Sequence, residues 1–132
     1  MLYIFFSNNK IGGDFIKKTS NQLYLFWKIG KFAYKYQDCY DNVVEKLSIY
    51  CSYRFGDSLL YSRENIHMMK RFYLNFPFFY KKLTLFSWEQ YQLLLMISDK
   101  KERFFYFYLS LIFQRDYQET LDFILNDYYL RI

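Results

Sequence analysis

Proline and histidine each occur once, at Pro77 and His67, cysteine twice and glycine four times in 132 residues. Each shortage excludes something. Cys39 and Cys51 form no CxxC pair, and one histidine leaves a zinc site built from Cys and His short of ligands. The thiols are expected to be reduced and structural, with no metal bound. Gly12-Gly13 makes a turn and Gly30 and Gly56 stand alone, so no phosphate-cradling loop is present and no cofactor is expected. The longest apolar stretch near the end, Phe104 to Phe113, covers ten residues with Ser110 inside it, against the roughly 20 that a bilayer-spanning helix needs. No membrane span is expected. The start, MLYIFFSNNK, has neither a basic leader nor a small-residue cleavage pattern, which leaves a soluble, cytoplasmic protein as the expectation.

Aromatic residues and positive charge are what the chain has in excess. With 16 Tyr and 16 Phe, aromatics make up 26% of the sequence, a level that a biased coding composition produces without any functional cause. Some rings must still reach the surface, which favours a partner or self-association. The formal charge of +5 is uneven: residues 1–82 carry 13 Lys and Arg against 6 Asp and Glu, residues 83–132 carry 5 against 7. Anion binding is therefore expected at the N-terminal end, although many proteins that touch no polyanion have a similar excess.

The apolar spacing predicts helices throughout, in one domain. Met1 to Phe6 reads as a strand or arm and residues 7–13 as a loop, so the helical domain is placed at 14–132. Asp14 is a plausible cap for a helix from Phe15 to about Gln37, with Leu23, Phe26, Trp27, Ala33 and Tyr34 inward. Lys28, Lys31 and Lys35 follow three and four apart on its outside, a stripe whose plainer reading is a solvated face. Gly30 costs about 1 kcal/mol inside that helix relative to Ala, which predicts another helix close by. Asp41 is expected to cap a second helix carrying Val43, Val44, Leu47, Tyr50, Cys51 and Phe55, broken at Gly56-Asp57.

The most informative stretch is SRENIHMMKRFYLNFP, Ser62 to Pro77. Ser62 is an N-cap, and Pro77 disfavours helical geometry at Phe76. Between them Ile66, Met69, Tyr73 and Phe76 share one side while Arg63, His67, Lys70 and Arg71 gather on the other. Two amphipathic helices joined by a glycine-containing turn, the second one basic, have the outline of a helix-turn-helix, with a longer connection than the tight form uses. After Pro77, FFYKKLTLF is an extended link or a small wing-like strand, with Lys81 and Lys82 adding charge. Ser87 starts a helix to about Ile97 with Trp88, Tyr91, Leu94 and Leu95 inward. Asp99 caps a fifth, and a last helix from about Tyr117 to Tyr129 carries Leu121, Ile124, Leu125 and Tyr128 as its stripe. The fold class is all-α: a single compact domain of five to six helices with helix-turn-helix, or winged-helix-like, character.

Three segments in order, FWKIGK, SRENIHMMKRFYLNFP and LFSWEQYQLLLMISDKKERFFY, resemble the N-terminal domain of the YhcG-like bacterial proteins. There the pattern is YWxIGK, then SxxNLxxMxxFYxxFP, then LSWxHYxxLLxIxDxxxRxFY, and the match is strongest at Ser62, Asn65, Met69, Phe72, Tyr73, Phe76 and Pro77. The resemblance implies a helical module, described as winged-helix or helix-turn-helix and DNA-binding, that precedes a nuclease domain of the PD-(D/E)XK class. No such nuclease domain is expected here, since no Asp followed at distance by a (Asp/Glu)-x-Lys triplet able to hold a metal and attacking water is found. Gln90 replaces the family's His, and the closing NxWSxRELxRQI-like run has become QRDYQETLDFIL, with acidic Glu119 near a basic position.

Catalysis is not expected. His67 has no evident nucleophile or orienting partner, and Glu45, Glu64 and Glu89 are unpaired in sequence. The first expectation is a small DNA-binding protein in which Arg63, His67, Lys70 and Arg71 face double-stranded DNA and Lys28, Lys31 and Lys35, or Lys81 and Lys82, contact phosphates. The second is an interaction or inhibitor protein of a mobile element or phage, with no DNA requirement. Phe104, Tyr106, Tyr108 and Phe113 cannot all turn inward from one helix, so some would meet a second copy or another protein.

Overall fold

A computed structural model of the chain describes residues 19–39 and 41–131. The expected N-terminal strand or arm, the loop after it and the Asp14 cap lie outside them. Every described element is helical, with no strand, as the apolar spacing predicts. Contacts group the chain into two compact units, one ending at Tyr80 and one beginning at Lys81.

In the first unit are α1 (Thr19–Lys35), α2 (Val43–Phe55) and α3 (Arg63–Asn75). Helix α1 is apolar on most of its circumference, and Leu23, Leu25, Phe26, Trp27, Ile29, Phe32 and Ala33 are all buried. Such a helix belongs at the centre of a bundle. Helix α3 packs on it through Ile66, Met69 and Phe72, none of which retains any exposure. Gly30 explains how close the two come: a Cβ there would lie 2.0 Å from the Met69 carbonyl oxygen and 2.5 Å from its carbon. The backbone of α3 occupies the space of a side chain, so the helical cost of glycine is offset by the approach it permits.

Helix α2 begins differently from the expectation. Asn42, not Asp41, is its N-cap, in the left-handed conformation at φ 55° and with no side-chain capping bond. Asn tolerates that region because its short polar side chain can bond locally. The helix ends as expected at Gly56, whose φ of 71° suits glycine and whose N–H donates to the Ser52 carbonyl. Seven residues then lead to α3, and side chains hold them: the Ser48 hydroxyl donates to the Tyr61 carbonyl at 2.7 Å, and the Asn65 amide donates to the Leu60 carbonyl at 3.0 Å. Ser62 caps α3 as predicted, accepting from the Asn65 N–H at 3.3 Å.

The second unit holds a 3-10 turn (Lys81–Leu85), α4 (Trp88–Leu95), α5 (Lys100–Ile112), α6 (Tyr117–Leu125) and a terminal 3-10 turn (Tyr128–Arg131). Of the two forms expected after Pro77, an extended link or a wing-like strand, the strand is not formed: an irregular link runs to Tyr80 before the 3-10 turn. Leu83 is buried instead, and its carbonyl accepts the Tyr91 hydroxyl, which holds the turn against α4. The three α-helices start at Ser87, Asp99 and Asp116, each accepting from the N–H three residues on. Phe86, Tyr91 and Phe107 form the centre, with Phe86 and Phe107 edge to face at 5.3 Å. The last helix is shorter than expected: it stops at Asn126, the chain turns at Asp127 with φ 52°, and Tyr128 leaves the helical stripe. Leu125 and Tyr128 are exposed, while Thr120 is the buried residue of α6.

Candidate nucleic-acid interface

Helix α3 carries its apolar and basic residues on separate faces because each kind recurs at helical spacing between its cap and its stop. Arg63, His67 and Arg71 are exposed and Lys70 is half-buried. Arg63 and His67 flank one hollow with Asn42 and Glu45, and the Arg63 guanidinium lies 3.7 Å from the Glu45 carboxylate. An ion pair this exposed contributes little, so Arg63 can exchange it for a phosphate at small cost. Lys70 donates to the Gln37 side chain, which draws it toward the end of α1. The four basic residues thus share the outer side of α3, with Arg63 and Lys70 engaged by Glu45 and Gln37.

Two lysines of the α1 stripe lie over aromatic rings. The Lys28 ammonium sits 5.1 Å from the Tyr24 ring centroid and that of Lys31 5.2 Å from Trp27, both within cation–π range, while Lys35 is exposed. Lys31 and Lys35 also line a groove with Tyr24, Tyr73, Phe78 and Phe79, aromatic residues that the sequence reading did not assign to a site. No local signal marks it, because its lysines and Phe78 and Phe79 are more than 40 residues apart in sequence. Lys81 and Lys82 are exposed on the 3-10 turn of the second unit. The first unit, to Tyr80, carries 11 Lys and Arg against 6 Asp and Glu, and the second 7 against 7.

Of the aromatic residues expected at a protein interface, Tyr106 does not belong there. It is fully buried, its hydroxyl accepts the Tyr129 N–H at 3.1 Å, and burial raises its pKa. Phe104 is half-buried, whereas Tyr108 and Phe113 are exposed, joined by Ile112.

The positions of the sequence motifs serve packing. Trp27 donates its indole N–H to the Phe76 carbonyl at 2.7 Å, Gly30 faces Met69, and Asn65 holds the connection before α3. FWKIGK and SRENIHMMKRFYLNFP are therefore two halves of one interface. In the third block Arg103 donates to the Ile97 carbonyl, and Asp99 accepts the Glu102 N–H. Asp99-Lys100-Lys101 has the outward form of an Asp-x-Lys triplet but is a helix start. Gln90 is buried between α4 and α6: its amide donates to the Arg115 carbonyl at 2.9 Å and to the Thr120 hydroxyl at 3.4 Å. Glu119 closes the capping box of α6 and pairs with Arg115 at 2.7 Å. Among the described residues no group of three His, Cys, Asp or Glu side chains is placed to hold a metal, and no helix is long and apolar enough to cross a membrane.

Comparison with known families bears on the resemblance. The profile described as DUF1016 N-terminal domain matches residues 14–131, nearly the whole chain, in keeping with the resemblance to the YhcG-like N-terminal domain. No curated protein and no solved structure matches.

Proposed function

The chain belongs to the DUF1016 N-terminal domain family, and on that premise we propose that it binds double-stranded DNA, without catalysing a reaction, through the basic face of α3. The observation that carries this reading is the division of α3: Ile66, Met69 and Phe72 are wholly buried, which leaves Arg63, His67 and Arg71 on the exposed side. Those three residues and Lys70 approach the duplex, and Lys28, Lys31 and Lys35 supply phosphate contacts. Phosphate neutralisation dominates affinity in such an interface and makes it salt-dependent. The test is equilibrium binding of a duplex library at two salt concentrations, with wild type and Lys70→Glu/Arg71→Glu compared. The double variant, while still folded, is expected to bind at least tenfold more weakly, with the salt slope reduced by roughly one unit per lost phosphate contact. Unchanged affinity would rule α3 out as the contact.

A second reading rests on a separate observation. Tyr108, Ile112 and Phe113 are 51%, 71% and 56% exposed on one end of α5, an apolar patch of the kind that meets another protein or a second copy. In that reading the chain is an interaction or inhibitor protein, of mobile-element origin, and its mass in solution decides. A dimer that Ile112→Glu converts to monomer favours it, and a wild-type monomer at high concentration speaks against self-association.

A further inference from the structure

The groove beside α1 sets aromatic faces, which duplex binding does not use, beside two of the lysines given to phosphate contacts. Its floor is a continuous aromatic ledge: the Trp27 ring stacks with Tyr24 at 6.1 Å, meets Phe79 at 5.9 Å and Tyr73 at 5.5 Å, and Tyr24 and Phe79 lie 5.1 Å apart. The bond from the Trp27 indole to the Phe76 carbonyl fixes the ledge against the end of α3. Lys31 and Lys35 stand along one side of it, and among the described residues no carboxylate pairs with either. Phe78, just past Pro77, stands in the same groove and is 80% exposed. The space measures about 460 Å³, within the range of small-ligand clefts.

Ring faces beside uncompensated cations select among polyanions. A duplex offers phosphates to the lysines but keeps the faces of its bases stacked on one another, and an acidic peptide offers carboxylates but no flat partner for the rings. A single strand offers both in alternation, since every base has a π-face and every linkage a phosphate. We propose that this groove binds single-stranded nucleic acid, with a base stacked on Phe78 and its adjoining phosphates on Lys31 and Lys35. Preference among bases is weak in such a site, because stacking reads flatness and not the hydrogen-bonding edge.

The proposal does not depend on the duplex reading, and one set of measurements separates them. The full chain is titrated by fluorescence anisotropy with a labelled oligothymidylate of roughly 12 nucleotides, the matching oligouridylate, and a duplex of the same length, at low and moderate salt. Phe78→Ala is expected to weaken single-strand binding about tenfold, the loss of one stacked base, while duplex binding stays within twofold. Phe78→Trp restores or improves it. Lys70→Glu/Arg71→Glu shows the reverse pattern, with single-strand binding retained, if both readings hold. Binding of either oligonucleotide that responds to Phe78 supports the site, and the stronger of the two names its source as DNA or RNA. The proposal is overturned if Phe78→Ala binds single strands as tightly as wild type, or if it weakens single strand and duplex alike.

Discussion

In the first unit a 17-residue helix is buried almost all round, and its closest neighbour is admitted by the absence of a single methyl group at Gly30. In the second unit α4 and α6 have 8 and 9 residues, every α-helix starts on a side-chain cap, and a buried glutamine ties α4 to α6. For α4 and α6 against α1 the contrast follows from helix length. A long apolar helix buries enough area to hold its partners by packing alone. Helices of two or three turns are marginal by themselves, so their unpaired end groups must be satisfied locally. The units differ in charge in the same sense, the first having a basic excess to display and the second being neutral.

Trp27 and Trp88 are buried in one unit each, so fluorotryptophan resonances report the two separately. The sharpest way to break the contrast is Gly30→Ala. A methyl group 2.0 Å from a backbone carbonyl cannot be absorbed by a side-chain shift, and a loss of roughly 3 kcal/mol or more is expected despite the ~1 kcal/mol that Ala gains as a helix former. The Trp27 signal should lose its native shift first on urea titration; a variant more stable than wild type would mean that α1 and α3 do not meet closely.

Alkali is next. Burial pushes the Cys51 thiol from 9.0 up to about 12, with the Arg54 charge opposing. The neutral thiol is favoured by folding, so this contribution is complete below pH 9 and is lost as pH rises toward 12, a change on the order of a few kcal/mol. The first unit should therefore weaken over that window, and Cys51→Ala should flatten the dependence in denaturation curves taken at stepped pH. Exposed Cys39 should be alkylated by iodoacetamide while Cys51 is protected, a difference that mass spectrometry reads directly.

Gln90→Leu probes the second unit. It leaves the Arg115 carbonyl and the Thr120 hydroxyl short of a donor and removes the return bond of the α4 capping box, so about 2 kcal/mol should be lost, seen at Trp88. An equal response at Trp27 would show that the units unfold as one. The smallest effect expected is that of Ser62→Ala, about 1 kcal/mol for one cap on a helix otherwise anchored by packing. Asp99→Ala should cost the shorter-packed second unit at least as much, and calorimetry of the pair checks the order.

Most element boundaries were legible because caps are local chemistry. Ser62, Ser87 and Asp99 each act where the sequence places them. Asp41 failed as a cap because its neighbour Asn42 takes the left-handed conformation that starts α2, a choice between two adjacent capping residues that spacing does not decide. The choice after Pro77 between an extended link and a wing-like strand stayed open because a short aromatic run satisfies either period, and the burial of Leu83 and its bond from the Tyr91 hydroxyl settle the end of that run as a turn. Tyr106 looked like its aromatic neighbours on α5, and its full burial and its bond from the Tyr129 amide distinguish it from Phe104, Tyr108 and Phe113.

The same division applies to the candidate sites. From the sequence alone come the helical class, the basic and apolar sides of α3 and the need for a close neighbour at Gly30, because periodicity, capping and backbone sterics act within a few residues. The tertiary structure decides that Trp27, Gly30, Asn65 and Phe76 are packing positions, that Gln37 and Glu45 engage Lys70 and Arg63, and that Tyr24 and Phe78 share a groove with Lys31 and Lys35. These residues lie up to 54 positions apart, from Tyr24 to Phe78, and only the closure of α1 on α3 brings them into reach of one ligand.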